Sequence, residues 1–255
     1  MENNIAQKIT AYATILALPF ALGAFILTWA PAQQFYLSDP RGDGYVPPRG
    51  IEKLITKVQE STVTIFCEPN DPKILGSFGS GWAIDLEHKQ GKRYPTTLIT
   101  NHHVIDECLD GKGKVRVAAL YGDKYQAVID NWDEENDLAS IASALEVTPL
   151  KLSEYEPFAG YWVAAIGSAD GYEGSVAFGN VINSNRTEIL VTNNISNGSS
   201  GGPLVDNEGN VVGVITWSLD EQQYNGAVSL NAFCVKILEC PYEYKGEKTW
   251  WDYNG

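Results

Sequence analysis

The sequence contains only three histidines, His88, His102 and His103, among its 255 residues. Any reaction that needs an imidazole must therefore use one of these three, and two of them are neighbours. The sequence also lacks a Cys-x-x-Cys pair and any His-rich segment. Because structural zinc sites have such spacings, we expect no metal site and no cofactor that depends on one.

Positive charge is scarce as well. Lys and Arg total 18 against 32 Asp and Glu, which gives a formal net charge of −14. Nucleic acids and anionic membrane surfaces both require a positive face on their protein partner, so neither is expected to bind this chain. Charged residues are 20% and hydrophobic residues 44% of the chain, a composition that excludes wholesale disorder and indicates a folded protein.

Residues 9–30 contain no charged side chain. Their number fits a membrane-spanning helix of about 17–25 residues better than the apolar part of a signal peptide, about 7–15 residues. Pro19 interrupts the segment, and Ala30-Pro31-Ala32 offers a small-x-small cleavage site. A membrane anchor and a cleaved signal peptide therefore both remain open. Lys8 precedes the segment, which predicts that the rest of the chain is exported to the periplasm or the cell exterior.

The four cysteines form an even set, Cys67, Cys108, Cys234 and Cys240. In an exported protein an even set favours disulfide bonds over free thiols or metal binding. Four cysteines allow three pairings, and composition alone does not choose among them.

Short strand-like segments dominate the chain after residue 61. Each is rich in β-branched or aromatic residues and is bounded by Gly, Asn, Asp or Pro. They fall into two groups of about six, separated near residues 146–160, which predicts an all-β fold of two small barrels or sandwiches. The predicted strands are Thr62–Phe66, Gly81–Asp85, Thr97–Thr100, Val115–Tyr121, Tyr125–Asp130, Leu138–Ala142, Trp162–Gly167, Val176–Ile182, Glu188–Thr192, Pro203–Val205, Val211–Trp217 and Gly226–Ser229.

Two helices and two irregular segments complete the predicted organisation. Residues 31–50 are rich in Pro and Gly and predict a linker. Ile51–Glu60 places apolar residues at i, i+3, i+4 and i+7, the pattern of an amphipathic helix. Ser229–Glu239 predicts a closing helix with Ser229 or Asn231 as its N-cap. We expect residues 241–255 to form an aromatic tail and no second folded module to follow residue 240.

Three local patterns in the sequence predict residues that could take part in a chemical reaction. His103 lies just after the strand-like run Thr97–Thr100, where its ring can face a cleft. Asp137 ends an acidic stretch and begins an apolar run, so it is the acid of that stretch with the greatest expected burial. A buried carboxylate needs a partner, and a histidine N–H would serve. Asn197–Leu204 is rich in Gly and Ser, so its backbone can expose a hydroxyl and direct successive N–H groups to one point.

Together these patterns predict nucleophilic catalysis by serine. Acyl transfer by a serine needs a base for the hydroxyl proton, a carboxylate that orients the base, and N–H donors for the oxyanion. His103, Asp137 and a serine of Asn197–Leu204 follow one another along the chain as base, orienting carboxylate and nucleophile, and the backbone of Asn197–Leu204 supplies the N–H donors. Two sequons, at Asn194 and Asn197, would permit N-glycosylation, but a sugar there would block the predicted site.

The sequence also resembles a known family. The segments that carry the resemblance are Gly79–Trp82, Thr100–Val104 (a TN-x-HV pattern), Asn136–Ile141 (DLA-x-I), Ala165–Ser168 (AIGS), Gly198–Leu204 (GSSGGPL) and Val205–Val214. In the same order along the chain they resemble motifs of the trypsin-like serine proteases, most closely the HtrA/DegP-like branch. The resemblance spans residues 51–240 and implies two six-stranded antiparallel β-barrels with the active site between them.

The resemblance implies a role for each matched position. Ser200 corresponds to the nucleophile, His103 to the base and Asp137 to the orienting acid. The N–H groups of Gly198 and Ser200 correspond to the oxyanion hole. Ser199 departs from the family, which usually has Asn or Asp there. The resemblance implies polypeptide substrates and neither metal nor cofactor, and no PDZ domain is expected.

The resemblance also outlines the specificity pocket and the disulfides. The residues at pocket positions are Asn194, Ile195, Thr216, Trp217, Ser218, Gly226 and Ala227. Because Asn194 is not a carboxylate, the pocket is not expected to prefer Arg or Lys, and small to medium uncharged side chains are the expected choice. The implied disulfides are Cys67–Cys108 and Cys234–Cys240.

Other functions remain open at this point. A pseudoprotease would keep the fold as a binding module without catalysis. An esterase-like hydrolase is a third candidate, although the α/β-hydrolase fold has its triad in the order Ser, Asp, His. HtrA-like proteins are often trimers, and the sequence leaves the oligomeric state open.

Overall fold

The computed structural model describes residues 44–86, 90–154, 156–218 and 224–236, without the side chains of Trp217, Ser218 and residues 234–236. Within these ranges no helix is long and apolar enough to cross a membrane. The apolar segment 9–30, most of the predicted linker, His88, the side chains of Cys234 and Cys240, and the tail 241–255 lie outside the described residues.

The first six strands close into a barrel. Their antiparallel order around the barrel is β1-β2-β3-β6-β5-β4. The interior is filled by side chains such as Val63, Ile65, Leu98, Val117 and Ile141, all at most 1% exposed. The strands are β1 Thr62–Pro69, β2 Ser77–Ile84, β3 Thr96–Thr100, β4 Gly113–Ala118, β5 Tyr125–Asp133 and β6 Leu138–Ser143.

The last six strands close into a second antiparallel barrel, in the order β10-β11-β12-β9-β8-β7. Val163, Val181, Ile189, Leu204 and Ile215 fill its interior. The strands are β7 Trp162–Ala169, β8 Tyr172–Ser184, β9 Glu188–Val191, β10 Pro203–Val205, β11 Val211–Ser218 and β12 Asn225–Ser229. The predicted fold class is therefore confirmed, and each predicted strand overlaps an observed one.

A third apolar cluster joins the two barrels. It contains Trp82 of the first barrel and Ile166 of the second, both fully buried. Helix α1, Ile51–Glu60, adds Leu54 and Val58 from its apolar face. Helix α3, Leu230–Lys236, adds Phe233, whose ring centroid lies 6.0 Å from that of Trp82. The two predicted helices thus pack against the interface between the barrels.

The closing helix begins as its sequence predicts. Helix α3 starts at Leu230, directly after Ser229. The Ser229 hydroxyl oxygen accepts a hydrogen bond from the Ala232 backbone N–H at 3.5 Å. Of the two N-cap candidates, Ser229 is therefore the one that caps the helix.

A disulfide ties the first strand to the segment that follows the histidine pair. Helix α2, His102–Ile105, continues into a 3-10 helix, Asp106–Gly111. Cys108 of the 3-10 helix is bonded to Cys67 of β1, with 5.8 Å between their Cα atoms. This bond limits how far the segment carrying His103 can move from the barrel wall.

Removing this disulfide should destabilise the protein substantially. The bond closes a loop with a sequence separation of 41 residues, so its loss restores the entropy of that loop to the unfolded chain. For the double variant Cys67→Ala, Cys108→Ala we expect a loss of about 3–4 kcal/mol in the free energy of unfolding. Urea denaturation of the variant and the oxidised wild type measures it, and a loss below about 1 kcal/mol would contradict the expectation.

Candidate active site

The three predicted catalytic residues lie at ends of strands where the two barrels meet. His103 follows β3 in helix α2, Asp137 directly precedes β6, and Ser200 lies in the loop before β10. Asp137, the last residue of the turn between β5 and β6, has a left-handed backbone with φ of +51°. Residues 34 and 63 positions apart in sequence are thus brought to one region.

Asp137 binds His103 at two points. Its Oδ2 accepts a hydrogen bond from Nδ1 of the imidazole at 2.7 Å, and its Oδ1 accepts one from the His103 backbone N–H at 2.9 Å. An ionised carboxylate only accepts hydrogen bonds, so Nδ1 carries the hydrogen and Nε2 keeps its lone pair. The carboxylate therefore fixes both the tautomer and the orientation of the ring.

The same contact raises the pKa of His103 above its ordinary value of 6.5. The hydrogen bond to Asp137 is the largest cause, and the negative charges of Asp137 and Asp106 act in the same direction. Partial burial opposes them by lowering the pKa of the ring. The imidazolium is stabilised overall, as a base that must take up a proton requires.

Asp137 is held in turn from both barrels. Thr216 of β11 donates its hydroxyl to Asp137 Oδ2 at 3.3 Å. The fully buried Asn101 donates from Nδ2 to the Asp137 carbonyl oxygen at 2.7 Å and to Thr216 Oγ1 at 2.6 Å. These bonds support the left-handed backbone of Asp137, which a non-glycine residue adopts only where its surroundings hold it.

Ser200 lies beside Thr216. Its hydroxyl donates to the Thr216 carbonyl oxygen at 3.2 Å. Among the described residues it makes no hydrogen bond to His103. Catalytic hydrogen bonds often tighten only when the substrate binds, so this arrangement is compatible with a serine that later transfers its proton to the ring.

The loop around Ser200 depends on two glycines with positive φ. Gly198 has φ of +89° and Gly201 has φ of +86°. A Cβ on Gly198 would lie 2.4 Å from the carbonyl oxygen of Ser168, and one on Gly201 would lie 2.2 Å from that of Ser80. Neither position can accept a side chain without moving the backbone.

Between Gly198 and Gly202, the backbone N–H groups of Gly198 and Ser200 are without a partner within the described part of the chain. The carbonyl preceding each of them is bound instead. Because N–H and C=O point in opposite directions across a trans peptide bond, each carbonyl contact turns the following N–H the other way. The carbonyl contacts are Asp170 N to Asn197 O at 2.6 Å and Gly202 N to Ser199 O at 3.0 Å.

The predicted specificity residues are only partly brought together. Asn194 and Ile195 line a cavity of about 90 Å³ together with Ser199, Ile215 and residues of β7 and β8. Ile195 is buried, whereas Asn194 is exposed. Thr216, Gly226 and Ala227 do not line this cavity, and the side chains of Trp217 and Ser218 lie outside the described residues. Thr216 contacts Asp137 and Ser200, a role that its sequence position alone did not indicate.

No group of three or more His, Cys, Asp or Glu suited to a metal ion occurs in the described ranges. The side chains at the site are those of acid–base and nucleophilic chemistry.

Comparison with known proteins finds one family model and several similar proteins. Residues 79–214 match the family model described as a trypsin-like peptidase domain. The chain is 32% identical over 130 residues to a probable periplasmic serine endoprotease, DegP-like, of Chlamydia trachomatis, covering 47% of this chain and 25% of that protein. It is 32% identical over 165 residues to the putative serine protease HhoA of Synechocystis, covering 58% and 38%.

A third relative has a different name. The anti-sigma-I factor RsgI9 of Acetivibrio thermocellus is 28% identical over 191 residues, which cover 72% of this chain and 25% of that protein. This chain therefore spans between 25% and 38% of the length of these three relatives.

Two solved structures share the fold. The active form of the Rv3671c protease of M. tuberculosis has a TM-score of 0.60 at 20% identity, covering 72% of this chain and 83% of that one. The serine endoprotease of Yersinia pestis also has a TM-score of 0.60, at 22% identity, covering 72% and 64%. At this level of identity the likeness concerns the fold alone.

The His103–Asp137 contact predicts a titration that NMR can follow. The imidazole signal of His103 should have a midpoint above pH 6.5 in the wild type, because the hydrogen bond to Asp137 favours the charged ring. Asp137→Asn should lower this midpoint. The contribution of the pair to folding stability is fully present below pH 6.5 and is lost as the pH rises through the raised pKa.

The variant His103→Gln identifies the signal, since its resonance then disappears. A wild-type midpoint at or below 6.5, or one that Asp137→Asn leaves unchanged, would contradict the contact as described.

Proposed function

The chain belongs to the family of trypsin-like peptidases, and from that membership we propose that it is a serine endopeptidase that uses Ser200, His103 and Asp137. The observation that carries this proposal is the binding of His103 by one carboxylate through both its ring and its backbone. A general base needs this arrangement, a fixed tautomer whose Nε2 lone pair is available to take up a proton.

The proposed reaction proceeds through an acyl-enzyme. Ser200 Oγ attacks the carbonyl carbon of a peptide bond and its proton passes to His103 Nε2. The oxyanion of the tetrahedral intermediate accepts hydrogen bonds from the N–H groups of Gly198 and Ser200, which have no other partner in the described part of the chain. The C–N bond then breaks as His103 gives its proton to the leaving amine. Water attacks the acyl-enzyme in the same way, and Ser200 is regenerated.

Asp137 supports this cycle without giving up its charge. Its carboxylate keeps the hydrogen on Nδ1 of His103 and stabilises the imidazolium that forms when Nε2 takes the serine proton. The hydroxyl of Thr216 and the amide of Asn101 hold Asp137 in place while the ring changes charge.

We propose that the substrates are polypeptides cut after small to medium uncharged side chains. Asn194 supplies no negative charge to a bound Arg or Lys, and the cavity beside it is lined by apolar side chains such as Ile195 and Ile215. A cavity of about 90 Å³ has room for a short side chain.

We propose further that the protein acts after export, in the periplasm or outside the cell. The Cys67–Cys108 disulfide is the kind of bond that persists in such compartments, and the name of the Chlamydia relative includes the word periplasmic. In this proposal residues 9–30 serve as signal peptide or membrane anchor, and the membrane has no other contact with the chain.

One observation favours a second candidate, an inactive relative that only binds polypeptides. The hydroxyl of Ser200 is bonded to the Thr216 carbonyl oxygen rather than to His103. If that hydrogen bond persisted with substrate bound, the serine would not be activated.

A fluorophosphonate probe separates these candidates. The wild type should be labelled and should cleave casein, whereas Ser200→Ala should not be labelled and should lose about 10⁶-fold in kcat. Ser199→Ala is the matched control because it removes the neighbouring hydroxyl, and it should still be labelled. Absence of labelling in the wild type, or labelling of Ser200→Ala, would refute the endopeptidase proposal. Turnover of a simple ester without any cleavage of casein would favour an esterase.

The same casein digest tests the specificity. We expect mass spectrometry of the products to place mostly uncharged, small to medium residues on the acyl side of the cleaved bonds, because the cavity offers no carboxylate at Asn194. Predominant cleavage after Lys or Arg would show that the pocket is not the one described here.

A further inference from the structure

We infer that Ser80 is the positioning residue of the oxyanion hole, holding the Gly198–Ser200 loop in its reactive form from the opposite barrel. This inference rests on the proposed function, since it assigns a role to a residue outside the triad in the same reaction. Ser80 lies in the middle of β2 and is fully buried.

Ser80 binds both ends of the three-residue loop that carries the two N–H donors. Its hydroxyl donates to the Gly198 carbonyl oxygen at 2.6 Å, and its backbone N–H donates to the Ser200 carbonyl oxygen at 2.7 Å. The Gly198 carbonyl belongs to the peptide unit that lies between the two donor peptides. Fixing it restricts the rotation of the backbone on either side, and thus the direction of both N–H groups.

The hydroxyl of Ser80 is itself fixed. It accepts a hydrogen bond from the Ser168 backbone N–H at 2.8 Å. A carbonyl can only accept and an amide N–H can only donate, so the hydroxyl proton must point to Gly198. The side chain of Ser168 is held at 2.6 Å by Thr64 of β1, which extends the buried network to a third strand.

Two nearby glycines allow the Gly198–Ser200 loop and its neighbours to pack closely against Ser80. A Cβ on Gly167 would lie 2.7 Å from the Ser80 hydroxyl oxygen. A Cβ on Gly201 would lie 2.2 Å from the Ser80 carbonyl oxygen, which also accepts a hydrogen bond from Thr100 Oγ1 at 2.7 Å. Only residues without a side chain fit at both positions, so the loop and β2 are packed directly against each other.

A role in the oxyanion hole differs from a purely structural one in its kinetics. The oxyanion exists only after attack on the carbonyl, so its donors stabilise the transition state and not the bound substrate. Losing a direct donor costs about 10²–10³-fold in rate, and a residue that only positions the donors should cost less. A structural defect would instead lower the fraction of folded enzyme.

The test compares Ser80→Ala with Ser143→Ala. Ser143 is matched because it is also fully buried in the first barrel and its hydroxyl also accepts a backbone N–H, that of Leu145, at 3.0 Å. With a fluorogenic peptide taken from a casein cleavage site, Ser80→Ala should lose about 10- to 100-fold in kcat with KM within about twofold, whereas Ser143→Ala should keep its kcat.

A peptide aldehyde gives a second readout. Ser200 Oγ bonds to the aldehyde carbon, the carbonyl electron pair moves to its oxygen, and the hydroxyl proton goes to His103, so the adduct needs the oxyanion hole. Its affinity should fall in Ser80→Ala by the same factor as kcat/KM, while the corresponding peptide alcohol should bind equally to both proteins.

The outcomes separate this inference from the proposed function. A wild type that is neither labelled nor active refutes the endopeptidase itself. An active wild type, with a Ser80→Ala variant that is folded by circular dichroism at the assay temperature and keeps kcat within about twofold, overturns the role of Ser80 alone.

Discussion

The carboxylate of Asp137 connects the parts of the site that the two barrels supply separately. It binds His103 at two points on the side of the first barrel and receives the hydroxyl of Thr216 from the second. The backbone of Asp137 is left-handed, a conformation that costs a non-glycine residue of order 1–3 kcal/mol unless its surroundings hold it. Asn101 holds it by bonding to both Asp137 and Thr216. The orientation of the imidazole therefore depends on the docking of the barrels.

That docking has its own apolar basis. Trp82 and Ile166 come from different barrels and are both fully buried, and Phe233 of the closing helix packs against the indole of Trp82. Burying one such large side chain contributes roughly 1.5–3 kcal/mol or more, whereas a net hydrogen bond contributes about 0.5–1.5 kcal/mol. The apolar cluster supplies most of the docking energy, and the polar contacts of Asn101 and Thr216 determine the alignment.

Much of this arrangement could be predicted from the sequence, because local signals encode it. Alternating apolar residues and turn residues located every strand, and strand ends followed by His103 or preceded by Asp137 indicated where side chains could meet. The contacts across the barrels could not be predicted in this way. Thr216 was expected to line the specificity pocket, and nothing in its sequence position indicated its bond to Asp137, 79 residues away. Ser80 was noted only as part of a family motif, yet its hydroxyl reaches Gly198, 118 residues away. Such contacts depend on how two closed barrels align, for which neither sequence periodicity nor local propensity carries a signal.

The contacts of β11 and of the Gly198–Ser200 loop with the first barrel determine at which stage of synthesis and folding the site can form. Every strand of the first barrel is synthesised before Ser200, and Thr216 follows later still. The first barrel alone holds His103 and Asp137 but has neither a nucleophile nor the hydroxyl that steadies the carboxylate. The bond of Thr216 to Asp137 and that of Ser80 to Gly198 therefore form only after the strands of both barrels have been synthesised. In the proposed reaction, hydrolysis would therefore follow the folding of both barrels.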